Sequence, residues 1–401
     1  MPSDATAAAE ALRAGDMTQA EQLAREAVEC GGDLACRLVL AQALAWQGRG
    51  RDAEAVLADV DVGTSSEADV MAVALPRAAN RFWMLNEPER ATAYLSSIRN
   101  RVVEPAARAT IDALSATFAM NAGNPLRALE IAAGVLAAPE APDVAVAWAA
   151  STSTLCSART GSLDQVEAFA ERAVAAEHPG LLRYTIGLGQ LTTQIMACRL
   201  DDAEQTVARL AGLAQQAPGR AIADVLSAYV LMTAGDDDAA AHLLGTAAPT
   251  LDRTGYSWGP LSWSLLATAL ARCGDLTEAA KTLSRAERRH GTKSALFAPE
   301  LGLARAWRLA AGNDHHGAVA AARQAAKMAE RSGQAAVAVR AWYDAVRLGD
   351  PRAARPLDRL ATDVQCRYAA LAAECAHAAA GGDAGALAEA TSRFAALGMA
   401  G

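Results

Sequence analysis

Lysine is nearly missing from this chain: of 37 basic residues only three, Lys281, Lys293 and Lys327, are lysines. None follows a glycine, so a G-x-x-x-x-G-K-[ST] phosphate loop is excluded. Aromatic residues make up only 4% of the chain, too few for a protein built on sheets, whose strands favour Tyr, Phe and β-branched residues. The seven cysteines are odd in number and scattered, with no C-x-x-C pair, which removes the usual zinc and disulfide frameworks and leads us to expect a reducing cytoplasm. No apolar run reaches the roughly 18 residues of a spanning helix without a charge, Gly or Pro, so no membrane segment is expected. A formal net charge of −8 argues against a broad nucleic-acid footprint, which needs clustered Lys and Arg.

Alanine and leucine are abundant instead. Hydrophobic residues make up 52% of the 401, enough for a continuous core of closely packed helices, and the expected class is all-α. A phrase recurs, as in "ARCGDLTEAAKTL", "MNAGNPLRALEI" and "LMTAGDDDAAAHL". Its anchors fall at Gly15, Gly48, Asn86, Gly123, Gly161, Cys198, Gly235, Gly274, Gly312, Gly349 and Gly382. Spacings of about 33 to 39 residues are what two helices and two turns require, so the phrase marks an array of helix pairs.

Each anchor is expected at a tight turn that favours positive φ, with a following Asp or Asn (Asp16, Asn124, Asp236, Asp275, Asn313, Asp350) able to cap the second helix. Five residues on, alanine recurs at 20, 53, 91, 128, 203, 240, 279 and 354, and seven before the anchor it recurs at 41, 79, 116, 228 and 267. Small residues on both helices let the axes approach, with Leu40, Leu57, Leu95, Leu244, Leu266 and Leu283 filling the gaps.

This spacing of small residue, turn and alanine resembles the tetratricopeptide repeat over essentially the whole chain. The longer period, the scarcity of proline between repeats and the missing aromatic after the turn depart from that pattern. Stretches such as "TGYSWGPLSWSLLATALARCGDLTEAAKTLSRAERRHG" resemble the superhelical sensor region of large ATP-dependent LuxR-type regulators, the MalT-like group. The resemblance implies an α-solenoid of about eleven antiparallel pairs, one helical-repeat domain over 1–401, acting as a cytoplasmic sensor. Such regulators also carry a nucleotide-binding module and a helix-turn-helix, and neither is found in these residues. We therefore expect either a fragment of a regulator or a stand-alone relative, with a free-standing adaptor unrelated to transcription as the alternative.

Candidate chemistry is sparse. "GNDHHGAVA" places His315 and His316 side by side, about 100° apart on a helix, which is no ligand pair. No catalytic residues, metal or cofactor are expected, and no enzymatic activity. The position six before each anchor should look into the concave groove, and there the chain has Gln42, Asn80, Thr117, Thr192, Tyr229, Thr268 and Tyr343. These polar residues serve either as a ligand groove or as ordinary exposed positions. "TGYSWGPLSW" adds Tyr256, Trp258 and Trp263 beside a Gly/Pro break, as a pocket wall or as packing. One site combining Tyr229 and Thr268 with these aromatics is expected to take a small inducer, a peptide or a protein, and to signal by curvature or self-association.

Overall fold

The computed structural model describes residues 4–14, 16–60, 66–176, 180–214 and 217–400, and among them there are 22 α-helices and no strand. They form eleven consecutive pairs. Units one to six are α1 (Asp4–Ala14) with α2 (Met17–Glu29), α3 (Leu34–Trp46) with α4 (Gly50–Ala58), α5 (Glu67–Ala79) with α6 (Pro88–Arg101), α7 (Pro105–Asn121) with α8 (Pro125–Ala137), α9 (Asp143–Thr160) with α10 (Val166–Ala175), and α11 (Leu182–Met196) with α12 (Leu200–Gly212). Units seven to eleven are α13 (Ala217–Ala234) with α14 (Asp237–Asp252), α15 (Trp258–Arg272) with α16 (Leu276–Arg289), α17 (Ala298–Ala311) with α18 (His315–Arg331), α19 (Ala335–Arg347) with α20 (Ala354–Val364), and α21 (Arg367–Gly381) with α22 (Ala384–Ala395). The chain is thus an α-solenoid of tetratricopeptide-like units.

The anchors behave as turn residues. Nine of them have positive φ, including two non-glycine ones, Asn86 at 56° and Cys198 at 57°, as well as Gly382 at 68°. Gly15 lies outside the described residues. Gly312 corrects the sequence expectation: its φ is −84°, and the left-handed residue is Asn313 at 61°. The cap shifts with it, from Asn313 to Asp314, whose carboxylate accepts from the Gly317 amide at 2.8 Å. Asn124 also makes no side-chain cap, its side-chain amide donating back to the Ala122 carbonyl instead. Asp16, Asp236 and Asp275 cap as expected. His315 and His316 are exposed first-turn residues of α18.

Gly274 isolates the backbone term. It is exposed with φ +85°, and a Cβ there would meet nothing within 4 Å. Gly274→Val should therefore cost about 1–2 kcal/mol through the left-handed conformation alone. Gly274→Asn should fall close to wild type, because asparagine tolerates that region and already occupies two sister turns. Thermal melts of the two variants check this, and equal melting of both would contradict it.

Packing follows the small-residue rule. Ala20, Ala53, Ala91, Ala128, Ala203, Ala240 and Ala279 are fully buried, as are Ala116, Ala228 and Ala267 on the facing helices. Unit three breaks the register. Pro76 sits inside α5 with no amide to give the preceding turn, and the helix continues as a π turn over Asn80–Met84. The extra residue moves the buried small position from Ala79 to Ala78, so Ala79 turns inward toward the superhelix axis.

Successive superhelical turns touch. Lys293, in the link between units eight and nine, donates to the Trp83 carbonyl of unit three at 2.6 Å. Arg159 of unit five reaches unit nine at Glu300 and the start of unit ten at Gln334. The Ala400 amide, beyond unit eleven, donates to the Thr233 carbonyl of unit seven at 2.8 Å. Units three, five and seven thus meet the chain about five units later, and the concave face of the early units is roofed by the next turn.

Candidate functional site

A large cavity lies under that roof, with a volume of about 740 Å³. Its floor is the inner faces of α3, α5, α7 and α9, and its roof is Tyr256 to Trp258 with Leu296 and Phe297. Two features of the sequence open it. The end of α5 and the π turn present Ala79, Asn80, Trp83 and Met84 to the interior, and the Gly/Pro break delays α15 so that Tyr256 projects from an irregular link and Trp258 from the first residue of the helix.

The walls are largely apolar and aromatic. Trp46 meets the edge of Tyr256 at 5.9 Å between centroids, and Trp83 lies 5.5 Å from the same ring. Behind Trp83, Phe82 stacks on Phe118 at 4.1 Å, which fixes the indole's position. Desolvation pushes the Tyr256 phenol up to about 12, so it stays neutral and able to donate.

The polar groups on the wall are few and mostly committed. Thr117 and Thr152 share a hydrogen bond of 3.0 Å between helices α7 and α9. Asn80 is 4% exposed, and its amide nitrogen donates to the Gly50 carbonyl at 2.9 Å. Ser257 donates to Asn121 Oδ1 at 2.5 Å and lies 2.7 Å from the Lys293 carbonyl, tying roof to floor. Lys293 itself donates to the Trp83 and Gly255 carbonyls, and burial holds its ammonium down to about 8.

A second, smaller cavity of about 80 Å³ lies among units seven to eleven. It is charged where the first is apolar: Arg272, Arg340, Arg347, Glu300 and Asp344 line it with Tyr229, Thr268 and Tyr368. Arg159 stands between the two cavities. Its guanidinium lies 2.8 Å from Glu300 on one side, and on the other it donates to the Leu296 carbonyl at 2.9 Å and sits over the Phe297 ring.

The candidates from sequence are divided among these places. Gln42, Asn80, Thr117, Tyr256 and Trp258 line the large cavity. Tyr229 and Thr268 line the small one, so the composite site expected of them with Tyr256, Trp258 and Trp263 does not form. Tyr229 is also 8% exposed, with Arg340 over its ring at 4.4 Å, and is a packed residue rather than a free groove position. Trp263 is buried in the core beneath Arg285 and reaches neither cavity. Thr192 is buried with its hydroxyl donated to the Leu188 carbonyl, and Tyr343 stacks on Phe394 at 4.9 Å. The inward column was found from spacing, but the superhelix is tight enough to bury much of it. Trp46, Trp83, Trp148 and Arg159 carry no local motif that marks them in the sequence.

Among the described residues no group of three or more His, Cys, Asp or Glu could hold a metal ion, and no helix is long and apolar enough to cross a membrane.

No protein-family model matches the chain, and no curated protein does. Solved structures do. The chain is similar to a Rap protein complexed with competence and sporulation factor, at 13% identity and a TM-score of 0.54, covering 91% of this chain and 99% of that one. It also aligns with the human IFIT1 dimer with PPP-AAAA, at 12% identity and a TM-score of 0.42, over 91% of this chain and 90% of that one. At such identities the likeness to the Rap protein is one of fold.

Proposed function

We propose that this chain is a binding protein without catalysis of its own, whose ligand is a small, mostly apolar molecule or a short apolar peptide segment held in the large cavity. The observation that carries this reading is a cavity of about 740 Å³, walled by aromatic rings and offering few polar groups. Ligand sites commonly occupy about 300–1,000 Å³ with that composition. A folded protein partner fits such a roofed space poorly. Since floor and roof belong to different superhelical turns, a bound ligand would bridge them and bias the curvature of the whole array.

The finer reading is that this is the sensing part of a LuxR-type, MalT-like transcriptional regulator in the cytoplasm. It rests on the repeat spacing and on the character of the stretches quoted above. It predicts coding DNA for a nucleotide-binding module upstream and a helix-turn-helix downstream. Flanking sequence without either would overturn it and leave a free-standing binding protein.

Binding is testable with N-phenyl-1-naphthylamine, an apolar fluorophore excited by energy transfer from tryptophan. Trp46, Trp83, Trp148 and Trp258 all line the cavity, so the wild-type chain should take up the probe saturably with strong transfer. Ala45→Phe, which fills part of the floor, should weaken uptake about ten-fold, in keeping with the loss of a few apolar contacts. Unchanged uptake at unchanged stability would place the probe, and the site, elsewhere.

A further inference from the structure

We infer that the small cavity among units seven to eleven is a subsite for a single carboxylate group, held chiefly by Arg340. The charge pattern carries the inference. Three arginines line the space, and two of them have carboxylate partners: Arg272 pairs with Asp237 at 3.0 Å, and Arg347 with Asp344 at 3.3 Å. Glu300, which also lines the cavity, is committed to Arg159 on its far side at 2.8 Å. Arg340 forms no ion pair among the described residues. Its guanidinium lies over the Tyr229 ring and donates to the Tyr229 hydroxyl.

A guanidinium does not discard its proton at any ordinary pH, so this cation stays charged inside a wall of protein and favours an anion beside it. The neighbouring groups suit an oxyanion. Tyr229 accepts from Arg340 and keeps its own hydrogen free to donate, and the hydroxyl of Tyr368, on the same wall, makes no hydrogen bond among the described residues. Trp307 packs against both other arginines and fixes their planes, at 5.2 and 5.0 Å from its ring. The planar fork of arginine matches a carboxylate with two parallel bonds.

Size sets the limit. About 80 Å³ exceeds what one water needs and is far below the volume of a whole drug-sized ligand, so a small terminal group enters and a larger body does not. The carboxylate could come from a peptide C-terminus or from a small organic acid, and the two sources are separable.

Isothermal titration at constant ionic strength compares acetate, N-acetyl-trialanine as the free acid, the same peptide as its amide, and inorganic phosphate. Saturable binding of the free acids, with the amide about ten-fold weaker or worse, is expected from the loss of a charge-assisted pair. Tighter binding of the peptide acid identifies a peptide terminus, and equal binding of acetate identifies a small acid. Arg340→Gln should weaken binding about ten-fold or more. Leu303→Phe, which fills the same space without touching the charges, should also abolish binding while melting as wild type, and so covers the case in which Arg340→Gln fails to fold. The assignment is overturned by no saturable binding of either acid, by equal binding of the amide, by preference for phosphate, or by binding that survives Leu303→Phe.

Discussion

Arg159→Ala is expected to destabilise the chain by about 3–5 kcal/mol, the usual cost of leaving a buried charge without its partner. Arg159 is 2% exposed and Glu300 is 7% exposed, so neither can turn to water when the other is removed. The same change takes a donor from Gln334 Oε1, bonded at 2.6 Å, and another from the Leu296 carbonyl. These contacts join residues 137 to 175 positions apart, and they are therefore part of what makes separate superhelical turns unfold together. In a repeat array that coupling is otherwise carried only between neighbours. Urea unfolding should show a lower midpoint and a shallower slope, as units one to six begin to melt apart from the rest. A double change, Arg159→Met with Glu300→Leu, removes both charges and should recover most of the loss, because replacing a whole buried pair with apolar groups is often close to neutral. A single change that leaves midpoint and slope alone would show that the turns are held by their other contacts.

Phe118→Ala should cost a comparable amount, about 3–5 kcal/mol, through the void it leaves. The ring is 2% exposed, stacks on Phe82 at 4.1 Å and meets Trp83 edge-on at 5.3 Å. Its loss also has a functional consequence that an ordinary core deletion lacks. Trp83 forms part of the cavity wall, and without Phe118 behind it the indole loses its fixed position. Uptake of N-phenyl-1-naphthylamine should therefore weaken in this variant at temperatures where it remains folded. Phe394→Ala offers the control, since that ring packs with Tyr343 and Tyr368 in units ten and eleven, away from the large cavity. It should destabilise without changing uptake by the folded protein. Equal loss of uptake in both variants would mean that the probe reports stability and not the wall.

The contrast between these two rings also shows what a one-dimensional reading can and cannot reach. The turn anchors and the small residues five after and seven before them are local requirements of a helix pair, and the period repeats them often enough to be seen. That is why units, class and most caps were legible. Asn313 was displaced by one because the sequence offers Gly312 and Asn313 side by side, and either tolerates the turn. Unit three lost its register at the π turn, a one-residue insertion that a spacing rule absorbs without trace. The cavity was legible only in part. Gln42, Asn80 and Thr117 face inward by period, and Tyr256 and Trp258 were visible as aromatics at a break. What joins them is the pitch of the superhelix, which brings links between units seven, eight and nine over units two to five. Pitch is the sum of small angles at every interface, so no single motif encodes it. Arg159 looks like any other arginine in "SARTG" until Glu300 and Gln334 are placed beside it by that pitch.

The most direct test of the central claim is crystallographic: crystals of the intact chain soaked with a brominated N-phenyl-1-naphthylamine, with the bromine located by its anomalous signal. A binding cavity between superhelical turns predicts a peak inside the ring of Trp46, Trp83, Trp148 and Tyr256, with its occupancy reduced in Ala45→Phe. A peak on the outer surface, or none in crystals where solution uptake has been measured, would contradict it.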